Sequence, residues 1–309
     1  MFFFGIILDA LFYFIMILLP DNIPVGFSLR NEGFDVRFYI ENQADYKKSG
    51  YSKLIYFLNL MPDKKATELD IFRQIASSGI DVKIVPVRIP GQTYKTTPQK
   101  YVERFYSDIV PLMSEPSPDG LIVTGAPLEQ IPLPKVRYWQ LLRKIMDWAQ
   151  GSVHSTLYIC WAAQAALAHF FGIGAELLPQ KRFGIYRQSV KRPDSPLMSG
   201  LGKTFPMPVS RHAQVNISQT DAPWLDIIAE NDESGLGVAA SHSLHLVFIT
   251  GHLEYRCNTL DTEYHRDISK KLPIEPPTNY YENNNPSNPI DFSWEKTAHI
   301  FYKNWIKLL

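Results

Sequence analysis

The chain has 309 residues, 45% of them apolar and 20% charged, and its Lys+Arg and Asp+Glu counts are both 31. That composition suits a globular chain with a large core, as one α/β domain or two small ones, and a net charge of zero leaves no footprint for nucleic acid or a strongly acidic partner. The two cysteines, Cys160 and Cys257, exclude a disulfide framework and fit a cytosolic chain.

The first segment, "MFFFGIILDALFYFIMILLP", is almost wholly apolar and is interrupted by Asp9. No Lys or Arg precedes its apolar part, so it lacks the basic start of a secretory signal, and it is only just long enough to span a bilayer. Three readings stand: a membrane anchor, a buried or partner-binding segment, or sequence upstream of the true start, with Met16 as the better initiator. The last is preferred because everything after Pro20 reads as a soluble enzyme. The chain then divides into an apolar extension, 1–19, and a single domain, 20–309.

Residues 21–52 are polar and show no strong period. The run "KLIYFLNL" (53–60) has the continuous apolar character of a strand buried on both faces. In "ATELDIFRQIASSG", Leu69, Ile71, Phe72 and Ile75 suit a helix that Gly79 stops. A second strand, "DVKIVPVRI" (81–89), precedes a helix in "TPQKYVERFYSDI", with Thr97 as N-cap and Pro98 at the first helical position. "DGLIVTGAP" (119–127) is a third strand, "VRYWQLLRKIMDWAQG" (136–151) a helix with a Gly stop, and "STLYIC" (155–160) a fourth strand that meets a helix at Trp161. Residues 178–245 are less regular and suit an antiparallel edge or an insertion. "LHLVFITGHLEY" (244–255) is another buried strand running into a polar turn. Helices at 259–272 and 293–308 flank a Pro/Asn-rich loop. Alternating strands and helices predict a mostly parallel sheet covered on both faces, with its active site at the carboxyl ends of the strands.

Free cysteine is among the most buried residue types, so Cys160 alone reads as core. Its position offers another reading. A residue between strand and helix sits on a sharp turn, as in a nucleophile elbow, and the helix N-terminus favours a thiolate. The N–H groups of that first turn suit an oxyanion formed on a thioester carbonyl. Of the eight histidines, only His252 follows a strong strand with an acid two residues on, Glu254. The imidazole then faces the thiol while the carboxylate fixes its tautomer. His242 and His245 have no Cys or carboxylate set at metal spacing, so no metal is expected. Cys257 reads as a bystander.

The stretches "LNLMPDKKATE", "DGLIVTGAPLE", "YICWAAQAAL", "FGI", "VSRHA", "GHLEY" and "SWEKTAHIFYKNW" lie in one order from about residue 20 to the C-terminus. In them the chain resembles the homoserine O-acyltransferases of the MetA type, the homoserine O-succinyltransferases and O-acetyltransferases. The resemblance implies a class I glutamine-amidotransferase-like α/β fold, a flavodoxin-like three-layer sandwich that does not use glutamine. It implies that Cys160 takes the acyl group from acyl-CoA as a thioester, that His252 is the general base, and that Glu254 orients it. Lys64 would sit in the active site, while Lys181, Ser210 and Arg266 would contact the amino-acid substrate or shape its pocket. Glu129 matches the position linked to acyl choice, where a carboxylate accompanies acetyl-CoA and glycine accompanies succinyl-CoA; a Glu would repel the terminal carboxylate of a succinyl group.

The chain departs from the family pattern at Leu253, where proline is usual, at Val209, where histidine is usual, and in its N-terminal extension. The reading implied is a cytoplasmic, ping-pong O-acetyltransferase acting on L-homoserine in methionine synthesis. It would use acetyl-CoA as co-substrate, hold no resident cofactor, avoid the membrane and form a homodimer. Succinyl-CoA as donor and L-serine as acceptor remain alternatives. A glutamine amidotransferase-like thiol hydrolase is a further rival, against which Ile-Cys-Trp-Ala replaces the Gly-x-Cys-x-Gly of that class. A membrane-tethered binding protein rests only on residues 1–20.

Overall fold

The computed structural model describes residues 16–40, 51–217 and 222–309. Most of the apolar N-terminal segment, and part of the irregular stretch at 21–52, lie outside them. Strands β1 (Met16–Pro20), β2 (Asp35–Tyr39), β3 (Lys53–Leu58), β4 (Val82–Arg88), β5 (Ser107–Asp108), β6 (Gly120–Val123), β7 (Ser155–Ile159), β8 (Ala175–Val190), β9 (Thr204–Val215), β10 (Leu225–Asn231), β11 (Gly235–Ser241) and β12 (Leu246–Ile249) form one sheet. Its order is β2-β1-β4-β3-β6-β7-β12-β11-β10-β8-β9, with β5 beside β4. Every pairing from β2 to β12 is parallel; every pairing from β12 to β9 is antiparallel. The irregular region at 178–245 is therefore an antiparallel extension of a parallel sheet.

Helices α1 (Pro24–Asn31), α2 (Lys64–Ala76), α3 (Gln99–Phe105), α4 (Ile109–Leu112), α5 (Trp139–Ser152), α6 (Trp161–Phe171), α7 (Thr259–Ser269) and α8 (Glu295–Leu308) complete the chain. The strand period of two sends alternate residues to opposite faces. Ile55 and Phe57 pack with Ile71 and Phe72 of α2 and Phe301 and Trp305 of α8. Tyr56 and Leu58 pack on the other face with Leu142 and Ile145 of α5 and Ala162 and Ala166 of α6. A smaller cluster joins Phe183, Tyr255, Leu260, Tyr280 and Trp294 beneath α7 and the Pro/Asn-rich loop.

Several local expectations change. The boundary expected between residues 19 and 20 falls inside β1, a fully buried strand that pairs with β2 and β4. The polar stretch after Pro20 holds α1 and β2, which their polarity hides: α1 has Pro24 in its first turn and turns only Val25, Gly26 and Leu29 inward, and β2 lies at the edge of the sheet. Thr97 does not cap α3, whose N-cap is Pro98. Its hydroxyl accepts from Lys64 N at 3.0 Å and donates to Pro62 O at 2.9 Å, so it ties the start of α2 to the following loop. Helix α5 runs through Gly151 to Ser152. Residues 124–127 and 250–255 leave the ladder and become turns at the carboxyl edge of the sheet. No helix among the described residues is long and apolar enough to cross a membrane.

Candidate active site

Cys160 occupies the single residue between β7 and α6, with φ 51° and ψ −116°. A non-glycine residue there carries about 1–3 kcal/mol of strain, and such strain recurs where a nucleophile is presented on a sharp turn. The backbone over-determines it. Cys160 N donates to Ile249 O at 2.7 Å, and Gln164 N donates to Cys160 O at 3.1 Å. The thiol is 5% exposed and lies beside the first-turn N–H groups of α6, which have no partner within the helix and favour negative charge. The turn "TGAP" after β6 crosses the elbow. A Cβ on Gly125 would sit 3.2 Å from Cys160 Cβ and 3.7 Å from Trp161 N, so glycine keeps that approach open.

Strand β12 runs parallel to β7, with Ile249 opposite Ile159, and this places the next turn beside the elbow. A Cβ on Gly251 would lie 2.6 Å from Pro208 O, and His252 N donates to that same oxygen at 2.8 Å. His252 Nδ1 faces Glu254 Oε1 at 2.7 Å, and the ring stacks on Tyr255 with centroids 4.1 Å apart. Nδ1 is thereby committed to the carboxylate, and Nε2 is left for the thiol. Burial lowers the proton affinity of His252. The charges of Cys160 and Glu254, and hydrogen bonds to both, outweigh it and hold the imidazole well above its ordinary pKa of 6.5. The pair is built to take and keep a thiol proton. Leu253, where the family has proline, is fully buried in the main core, and the hydrogen bond to Pro208 pins the turn instead.

The opposite wall comes from the antiparallel extension and α7. Ser210 Oγ donates to Glu263 Oε2 at 2.6 Å. Lys181 Nζ donates to Glu263 Oε2 and Asp267 Oδ2, each at 3.2 Å. Tyr255 OH donates to Glu263 Oε1 at 3.1 Å, and Arg266 Nε donates to Asp267 Oδ1 at 2.7 Å. Burial opposes the Asp267 carboxylate, yet Arg266 and Lys181 hold its pKa below the usual range. Cys160, His252, Glu129, Lys181, Ser210 and Arg266 all line one cavity of about 180 Å³, together with Tyr255 and Glu263. Glu263, the hub of this wall, was not legible as a site residue; the available signal is its spacing of three from Arg266 on a helix.

Glu129 Oε1 lies 3.9 Å from Cys160 Sγ, and Oε2 accepts from His212 N at 2.9 Å. Beneath them is Arg211, 1% exposed, donating to Thr250 O at 2.9 Å and to Ser234 O. Burial lowers its pKa to about 10, against the upward pull of Cys160 and Glu129. Sequence reading passes over this guanidinium because the carbonyls that satisfy it come from distant turns. Strand alternation separates Val209 from the cavity: Ser210 and His212 line it, whereas Val209 is fully buried in the core. Lys64 lines an adjoining cleft and not the thiol cavity. Its Nζ donates to Asn59 O at 2.5 Å and lies 4.7 Å above the Tyr94 ring, and burial lowers its pKa to about 8. Cys257 is exposed and unpaired. His242 faces Asp226 at 3.5 Å, His245 stacks on His154, and no group of three or more metal-capable side chains occurs among the described residues.

A glutamine amidotransferase from Methylobacillus flagellatus superposes at a TM-score of 0.53 and 13% identity, covering 83% of this chain and 95% of that one. At that identity the likeness is one of fold, a class I glutamine-amidotransferase-like α/β sandwich. A homoserine O-acetyltransferase of Phocaeicola vulgatus is 40% identical over 93% of both chains. Those of Parabacteroides distasonis and Geobacillus kaustophilus are 42% and 36% identical, over 82% and 93% of this chain and 81% and 94% of their own. The family model described as homoserine O-succinyltransferase matches residues 16–309, and the chain belongs to that family.

Proposed function

We propose that this enzyme transfers an acetyl group from acetyl-CoA to the hydroxyl of L-homoserine, through a thioester on Cys160, in methionine synthesis. The observation that carries the reading is the shared cavity. A strained thiol with a carboxylate-fixed imidazole faces, across about 180 Å³, a wall of side chains suited to an amino acid. His252 Nε2 takes the thiol proton, and Sγ attacks the thioester carbonyl of the donor. The first-turn N–H groups of α6 stabilise the oxyanion, and coenzyme A leaves as its thiol, taking the proton back from His252. In the second half His252 takes the homoserine hydroxyl proton, the oxygen attacks the acyl-cysteine, and Cys160 departs and recovers the proton. Glu254 holds the tautomer in both halves.

The acceptor's α-carboxylate suits Arg266, which can grip it through two N–H groups, and its α-ammonium suits Glu263, whose carboxylate already accepts from Ser210 and Lys181. Val209 does not line the cavity that Ser210 lines, which favours L-homoserine over L-serine as acceptor. Glu129, 3.9 Å from the thiol, supports acetyl over succinyl, because a succinyl carboxylate would meet its negative charge. The same reading has one acyltransferase domain beginning at β1, working in the cytoplasm as a homodimer, without a metal or resident cofactor. Its domain extent takes support from the buried Met16–Pro20 strand and from the family match over residues 16–309.

Intact-protein mass spectrometry tests it. The chain and its Cys160→Ala variant are mixed with acetyl-CoA or succinyl-CoA, and L-homoserine or L-serine follows. An acetyl adduct that needs Cys160 and that homoserine discharges is the expected result. No adduct from either donor would remove the covalent mechanism, and discharge by serine alone would change the acceptor.

A further inference from the structure

Two clefts open from the thiol cavity, and they differ in charge. One, of about 290 Å³, shares Gly125, His252 and Arg266 with it and carries Asp63, Asp70, Glu254 and Glu263 against Arg256 and Arg266. The other, of about 270 Å³, shares Met61, Ala126 and Pro127 with it. Its charged side chains are Lys64, Lys95 and Arg137, and no carboxylate lines it. Lys95 and Arg137 are exposed, and among the described residues neither makes an ion pair; Arg137 Nη2 donates to Gln92 Oε1 at 3.1 Å. Resting on the acyl-CoA reading above, we propose that this basic cleft seats coenzyme A, with the pantetheine arm along Leu60, Met61, Pro127 and Leu128 and the phosphates at Lys95 and Arg137.

Three properties of the cleft support the assignment. The arm is neutral and must reach Cys160 through a narrow neck, and the neck is apolar where the two cavities meet at Met61, Ala126 and Pro127. The diphosphate is a multiple anion, and the cations stand at the outer rim, where unpaired Lys and Arg attract phosphate at the lowest desolvation cost. Tyr94 and Tyr138 line the same cleft, half-buried, and offer aromatic faces to a base. The rival cleft has four carboxylates against two guanidiniums, which repels a diphosphate, and it opens on the side of Glu263 and Arg266, where the acceptor binds. Donor and acceptor would thus reach one thiol cavity through two different clefts, which both border it at Met61.

The test compares acetyl-CoA with S-acetylpantetheine, which lacks the phosphates and the nucleotide. The rate of Cys160 acetylation is followed by mass spectrometry in the wild type, in Lys95→Ala/Arg137→Ala, in Arg137→Glu, and in Asn258→Glu in the rival cleft. The expected result is a rise of about tenfold or more in the half-saturating acetyl-CoA concentration for the first variant, and a larger rise for Arg137→Glu. The maximal rate and the kinetics with S-acetylpantetheine stay at wild-type values, and Asn258→Glu behaves as wild type with both donors. An unchanged acetyl-CoA dependence, an equal loss with both donors, or a rise confined to Asn258→Glu overturns the assignment. A wild type that takes acetyl from neither donor fails at the earlier step and refutes the acyltransferase reading itself.

Discussion

The parallel half of the sheet and its antiparallel extension contribute different things to one cavity. The parallel half presents groups at strand ends: the elbow after β7, the "TGAP" turn after β6, and the His252 turn after β12. The extension presents groups from within strands, Lys181 on β8 and Ser210 on β9, which α7 clamps through Glu263 and Asp267. Turns at strand ends can hold strained backbone, and the proposed nucleophile stands on one. A strand interior offers a flat, regularly spaced surface, and a small amino acid can be recognised on it. On the proposed reading, the reaction chemistry sits on the parallel half and recognition of the amino acid on the extension.

The comparison can be broken most decisively at the strand ends. Cys160→Ala is expected to abolish the acyl adduct and reduce turnover by at least about 10⁴-fold while the protein remains folded. His252→Asn is expected to cost about 10²–10⁴ in turnover, with both half-reactions slowed together, as stopped-flow acylation and deacylation would show. A fault in one half alone would mean that two bases serve the site. Substitutions in the extension should separate the halves. Arg266→Lys is expected to raise the KM for homoserine about tenfold, by losing bidentate contact, while acylation of Cys160 by acetyl-CoA keeps its rate. Glu129→Gly stands between the two regions. It is expected to shift the preference between acetyl-CoA and succinyl-CoA by about tenfold or more toward succinyl, measured as a ratio of kcat/KM values.

The smallest effect expected is on stability. Burial pushes Glu68 and Asp70 of α2 up to about 7, from ordinary values of 4.5 and 3.8, although Tyr101 and Tyr106 donate to Glu68 and Arg256 pairs with Asp70. A carboxyl whose folded pKa is raised binds more protons folded than unfolded. Its contribution is full below about pH 4 and is lost as pH rises to about 7. Thermal melts should therefore fall over that window, and Glu68→Gln should flatten the fall. A melting temperature that climbs between pH 5 and 7 in the wild type and stays unchanged in the variant would contradict the burial argument.

The same division explains what could be read in the sequence. Strands β3, β4, β6, β7 and β12 are short apolar runs with clear stops, and Cys160, His252 and Glu254 stand at or just past their ends, so pattern alone singled them out as candidates. Strand β8 is exposed along its first half and β9 interleaves partly buried residues with buried ones, so neither marks Lys181 or Ser210, and these residues came from the family resemblance. Glu263 and Arg211 take their meaning from partners far along the chain. Ser210 is 53 residues from Glu263, and Thr250 is 39 from Arg211, so no local pattern marks either pair. Thr97 was misread for the same reason, since its partners belong to the turn before α2. Strand β1 was hidden in an apolar run too uniform to show a boundary.

The elbow at Cys160 has a consequence for how this chain would respond to selection. Glycine occupies φ 51°, ψ −116° without penalty, so Cys160→Gly would relieve strain that the proposed nucleophile must keep. A population screened only for resistance to heat would drift toward glycine at this one position and emerge hardier and inert. Growth without methionine would oppose that drift, so endurance and usefulness pull against each other at a single codon.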